Sequence, residues 1–159
     1  MKKITLMFAI LFIVGIVSAQ RNVNNAFNYL RKGNIEKAKL AIDEASEDEN
    51  SNKQANTWFY KGDIYLAIAA NPDPEIMALD TDAIDKAYEY FQKAIAINKE
   101  VSNDMLSVSN PFDGIKIIAV EWSRRGQVAF EKNNYYNAFK CYDKSYQINK
   151  DEIDRKSVV

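Results

Sequence analysis

Two stretches constrain this chain more than any other. "TWFYKGDIY" (residues 57–65) and "EWSRRGQVAF" (121–130) each place a tryptophan four residues before a glycine, Trp58 with Gly62 and Trp122 with Gly126. The chain has only two tryptophans and five glycines, so the shared spacing asks for a structural cause. A glycine inside an apolar helical pattern costs helix stability and is retained where another element must come close. The spacing therefore predicts two helices of one kind, each crossed tightly by a partner.

The rest of the chain reads as helices separated by breakers. Prolines and glycines are few, and 47% of residues are hydrophobic, a balance that favours helices over turn-rich sheets. Asn22 to Arg31 is stopped by Lys32-Gly33-Asn34, with Gly33 placed as a C-cap. Ile35 to Glu47 carries Ala38, Ala41, Ile42 and Ala45 at i, i+3, i+4, i+7. A polar connector, 48–53, leads into an apolar helix over 54–70, which Asn71-Pro72-Asp73-Pro74 must break. Thr81 or Asp82 caps a further helix running to about Ile97. Asn110, Pro111 and Asp113 read as N-cap, N1 and N3 of a long helix reaching Lys132. After the turn at Asn133-Asn134, the last helix spans Tyr135 to Asn149.

Three hairpins result, at about 20–50, 54–100 and 111–150. Aligned on Ala26, Gly62 and Gly126, their second helices match at Ala38, Ala87 and Ala138. The match continues at Ile42, Phe91 and Tyr142, then at Ala45, Ala94 and Ser145. Hairpin two carries an insert at 71–83, and a second extra segment, 102–118, precedes hairpin three. Either insert can fold over an edge and shape a pocket, or be a neutral elongation, which costs little.

The pattern resembles the tetratricopeptide repeat, a helix–turn–helix unit of about 34 residues with Trp, Gly and Tyr in its first helix and Ala, Phe and Ala in its second. Hairpin two supplies Trp58, Gly62, Tyr65, Ala87, Phe91 and Ala94, and hairpin three Trp122, Gly126, Tyr135, Ala138 and Tyr142. Hairpin three departs at Ala129 and Ser145, hairpin one has Asn22 in place of Trp, and none ends in the usual proline. The resemblance implies an all-α solenoid of about three repeats with a concave groove. It also implies that Gly62 faces Ala87, that Gly126 faces Ala138, and that Trp58, Tyr65 and Phe91 fill the space beside the crossings. The groove positions it implies are Val23, Phe27 and Leu30, then Phe59, Asp63 and Leu66, then Ser123, Gln127 and Phe130, with Arg124 adjacent. The set of Lys, Asn and Arg with which one subclass clamps a chaperone C-terminus is missing, because Arg124 alone is present.

The N-terminus reads separately. Lys2 and Lys3 precede an apolar run from Ile4 to Val17, and Val17-Ser18-Ala19 offers small residues for cleavage. A spanning helix needs about 20 apolar residues, so residues 1–19 read as a secretory signal peptide, with an uncleaved anchor as the alternative. No stable membrane span is expected after cleavage. The lone Cys141 has no internal partner and reads as a half-buried core residue.

Chemistry finds few carriers. There is no histidine, which removes the commonest general base and metal ligand. No Gly-rich phosphate loop occurs. The carboxylates Asp80, Asp82 and Asp85 lack the glycine and distal glutamate of a calcium loop and read as a helix start. A net charge of −1 without a basic stripe argues against nucleic acid. The expectation is no enzyme, no cofactor and no metal, but an exported scaffold, periplasmic or secreted, whose groove takes a protein or peptide. A structural subunit that self-associates through an uncapped C-terminal hairpin, or the front of a longer array, is the alternative. A carboxylate-based hydrolase with its site under the inserts is the reading from another class.

Overall fold

The structure, a computed structural model, describes residues 22–157 except 105 and 107. The expected signal peptide at 1–19 lies outside them. Among the described residues every regular element is a helix. In chain order these are α1 (22–31), α2 (Ile35–Glu47), a 3-10 turn (Ser51–Lys53), α3 (Ala55–Ala69), α4 (Pro74–Met77), α5 (Ala83–Ile97), α6 (Pro111–Glu131) and α7 (Tyr135–Ser157). α3 packs on α5 and α6 on α7, while α2 lies against α3 and α5 against α6. No described helix is long and apolar enough to cross a membrane.

The helix ends follow the local chemistry. Asn34 Oδ1 accepts from Lys37 N, and Asn110 Oδ1 accepts from Asp113 N with Pro111 in the first turn. Pro74, which ends the pattern of α3, opens the short α4 behind Asp73, whose side chain accepts from Glu75 N. Asp82 sits at the N-cap of α5 without a side-chain cap bond. Asp80 does that work, accepting from Asp82 N at 3.0 Å and pairing with Lys86 at 2.6 Å.

Two turns are built alike. Gly33 has φ +73° and Asn133 has φ +58°. Behind each, the next asparagine donates back five residues, Asn34 N to Tyr29 O and Asn134 N to Ala129 O, both at 2.9 Å. This is the bonding of a helix closed by one left-handed residue. Glycine takes that conformation without strain, whereas asparagine only tolerates it. Asn133→Gly is therefore expected to stabilise the protein by up to about 1 kcal/mol and Asn133→Ala to destabilise it by a similar amount. Thermal melts of the two variants check the sign.

The last helix corrects its expected end. α7 continues past Asn149 through Ser157, so residues after Asn149 extend the helix instead of trailing from it. Ile148 and Glu152 are buried, Tyr88 donates to Asp151 at 3.4 Å and Lys144 pairs with Asp85 at 2.6 Å. The last two contacts tie α7 to α5 through side chains.

The close crossings are real, but their partners differ from the expected alanines. A Cβ built on Gly62 would stand 2.6 Å from the Phe91 ring, and one on Gly126 2.8 Å from the Tyr142 ring. Ala87 and Ala138 are buried one helical turn away. Gly114 of α6 approaches the opposite edge of Phe91 more closely still. Phe91 is thus a plate held between two glycines, one from its own pair and one from the next. Phe59, Phe91, Ile64, Ile68, Ile115 and Ile118 belong to one buried cluster. The segment after α5 contributes Val101 and Val108 to it, and Asn103 Nδ2 donates to the Tyr60 hydroxyl at 3.0 Å. The extra residues at 102–118 are accordingly part of the core and the first turns of α6.

Candidate functional site

The expected groove residues do not share one open surface. Phe59 and Asp63 have no exposure, and Val23 and Leu66 are buried. The open-face assignment of Phe59 and Asp63 is therefore wrong. α3 is covered by α2, α5 and α6 together, and its sequence is apolar nearly all round, the mark of a central helix. Phe27 is half-buried, stacked on Tyr60 with centroids 5.4 Å apart under the Arg31 guanidinium. Ser123 is spent between helices, 2.8 Å from Ser145 Oγ, which itself donates to Ala119 O. Gln127 is exposed, donating to Glu131 and accepting from the Tyr142 hydroxyl. Arg124 borders a cleft.

That cleft lies where the insert meets α6. A hollow of about 260 Å³ is lined by Ala69, Met77, Asp80, Thr81, Ile84, Arg124 and Arg125. A second, of about 360 Å³, shares Arg124 and Arg125 and adds Val128, Ala129, Lys132 and Asn134. The two adjoin at Arg124 and Arg125 as a trough lined by Ala69, Met77, Ile84, Val128 and Ala129, by three cations and by Asp80, which is paired with Lys86. Glu121 anchors it. This buried carboxylate accepts from Arg124 Nε and Nη2, both at 2.7 Å, and from Arg125 Nε at 3.0 Å. Burial alone raises the Glu121 pKa, but the hydrogen bonds and charges of Arg124 and Arg125 outweigh it and hold the carboxyl below its ordinary range. Arg125 also donates to Ala69 O at 2.8 Å, closing the C-terminus of α3, where a cation is favoured. Arg124 leaves 62% of its side chain exposed. Two of the five donors of a guanidinium are used there, and Arg124 lines both hollows.

A second charged cluster serves packing. Lys61 is buried, 3.0 Å from Asp43 Oδ1 and 2.7 Å from Ser46 Oγ, and stands 4.8 Å over the Tyr90 ring. Tyr65 donates to the same carboxylate at 2.8 Å. Burial raises the Asp43 pKa, yet the hydrogen bonds from Lys39, Lys61 and Tyr65 bring it below its ordinary value. Burial, and the Asp43 charge it bonds to, push the Tyr65 phenol well above its ordinary value. The cluster ties α2 to α3 and α5.

Sequence reasoning missed Glu121, Arg125 and Lys61, although a signal was present. Three residues after each tryptophan stands a cation, Lys61 or Arg125, and two after each gripped ring stands another, Lys93 or Lys144. The structure uses them alike. Lys93 lies 3.4 Å over the Trp58 ring and Lys144 4.2 Å over that of Trp122, while Lys61 and Arg125 stand near the same two rings at 5.7 and 5.3 Å.

Among the described residues no group of three or more Cys, Asp or Glu is placed to hold a metal ion. Comparison with protein-family models, with curated proteins and with solved structures finds no match to the chain.

Proposed function

We propose that this chain is a non-catalytic scaffold of tetratricopeptide-like helical hairpins that is exported to the cell envelope and binds an acidic segment of a protein or peptide. The export part of the reading rests on residues 1–19. The repeat part rests on the paired Trp, Gly and cation positions, which recur in both sequence and contacts. The observation that carries the binding site is the trough over Arg124 and Arg125, with Lys132 at one end and Met77 of the insert at the other. An extended peptide lies along its apolar residues, and a side-chain carboxylate meets the guanidinium of Arg124, the charge-assisted geometry that guanidinium groups favour. Glu121 holds that guanidinium in place.

Fluorescence anisotropy with a labelled Asp- and Glu-rich peptide tests the reading. The acidic peptide should bind, and its Asn and Gln counterpart should bind at least tenfold more weakly, a difference of about 1.4 kcal/mol. Arg124→Ala should lose a similar factor with an unchanged helical circular dichroism spectrum, because among the described residues Arg124 pairs within its own helix, with Glu121. Equal affinity for the two peptides, or undiminished binding by Arg124→Ala, removes the trough as the site.

A further inference from the structure

A row of exposed aromatic rings lies on the last helix pair. Along α7, Tyr135, Phe139, Tyr142 and Tyr146 recur at i, i+4, i+7 and i+11, one helical face. Their exposures are 59%, 69%, 39% and 62%, and Phe130 of α6, 53% exposed, touches Tyr135 with centroids 5.4 Å apart. The preceding pair shows what such a face is built for. There Phe91 occupies the place of Tyr142 and has no exposure, because Gly62 meets one edge and Gly114 of the following helix the other. Tyr142 meets Gly126 on one side only. A patch of exposed rings of this size marks an interaction surface.

We infer that two copies of this chain pair through this face, α7 against α7 in antiparallel array, about a two-fold axis at Tyr142 and Asp143. Three observations select a second copy. First, the stripe is complementary to itself. Antiparallel register about that axis sets Phe139 against Tyr146 of the other copy, Tyr142 beside its own equivalent, and the exposed Lys150 over the ring of Tyr135. An isologous contact requires this kind of self-match. Second, the area is of the right order. With aromatic side chains of about 150–250 Å² each, the exposed parts of Phe130, Tyr135, Phe139, Tyr142 and Tyr146 offer about 550 Å² per copy, most of the roughly 800 Å² per partner of a stable interface. Third, the described residues of the opposite end give no comparable apolar face for head-to-tail stacking. Among the described residues of α1 and α2, Leu40 is the one large apolar side chain that is exposed.

Multi-angle light scattering on the purified, processed protein from 1 to about 100 μM reads the outcome directly. The expected mass is twice that of one chain. Phe139→Glu with Tyr146→Glu, both at exposed positions, should halve it while leaving the helical spectrum intact. The register has its own readout. In a Cys141→Ser background, Asp143→Cys should give a covalent dimer on mild oxidation, whereas Leu40→Cys should form no disulfide-linked dimer. A monomer at every concentration overturns the inference, as does a dimer indifferent to the two glutamates or a disulfide formed equally through position 40. A monomer whose aromatic face is occupied by a different protein overturns it as well. Because Arg124 lies outside the stripe, loss of peptide binding with the dimer intact, or the reverse, separates this proposal from the trough.

Discussion

Phe91→Ala is expected to lower stability by about 3–5 kcal/mol, the cost of deleting a fully buried aromatic ring from a packed core. For a chain of this size that is a fall in melting temperature of about 10 °C. The reason is specific to the site. The ring has no exposure and lies between Gly62 and Gly114, so its removal opens a gap between three helices at once. The converse substitutions sharpen the test. Gly62→Ala and Gly114→Ala each push a methyl group into the ring and are expected to cost about 1–3 kcal/mol. In the Phe91→Ala background both penalties should shrink, since the obstructed atoms are gone. A double-mutant cycle measured by urea denaturation would show this as coupling well above about 0.5 kcal/mol. Additive effects would mean that the glycines are kept for another reason.

The second large effect belongs to Asp43 and Lys61. Asp43→Asn leaves the Lys61 ammonium among Trp58, Tyr65 and Tyr90 without its counter-charge. Breaking a fully buried pair costs about 3–5 kcal/mol. Asp43 keeps 29% of its side chain exposed, so the expected loss is nearer 2 kcal/mol. Asp43→Leu combined with Lys61→Met removes both charges and should recover most of it. The pH dependence follows from the same contacts. The folded-state pKa of Asp43 lies below its ordinary value of 3.8, and that of Glu121 below 4.5. Each contributes stability that is fully present above the unfolded value and is lost as pH falls through the folded one. Stability should therefore decline from about pH 4.5 downward, and Asp43→Asn should flatten the decline. Thermal melts between pH 7 and pH 2.5 give the slope, and an unchanged slope in Asp43→Asn would remove Asp43 from the account.

Much of the fold is legible along the chain because its causes are local. Helix starts at Ile35, Pro111 and Tyr135 follow from capping asparagines within hydrogen-bonding reach of the next turn. The stop at Gly33 follows from a backbone conformation that glycine adopts without penalty. Even the end of α7 had a local clue, since Ile148 and Glu152 keep the helical spacing of Ala138 and Ser145. The trough was only partly legible. Arg124 lay next to an expected groove position, but its companions Met77 and Asp80 come from a segment whose path no periodicity describes.

By itself the sequence determined that the chain is helical, where most helices begin and end, and that Gly62 and Gly126 are crossing points, because period, caps and glycine spacing act within a few residues. Only the tertiary structure decided which faces stay open. Phe59 and Asp63 stand at the same offsets from Gly62 as Ser123 and Gln127 from Gly126, yet the first two are buried and Gln127 is exposed. The difference is that α2, α5 and α6 all pack on α3, whereas among the described residues the helices packed on α6 leave Gln127 open. Burial is a property of what arrives from elsewhere in the chain, and helical periodicity at a residue carries no record of it.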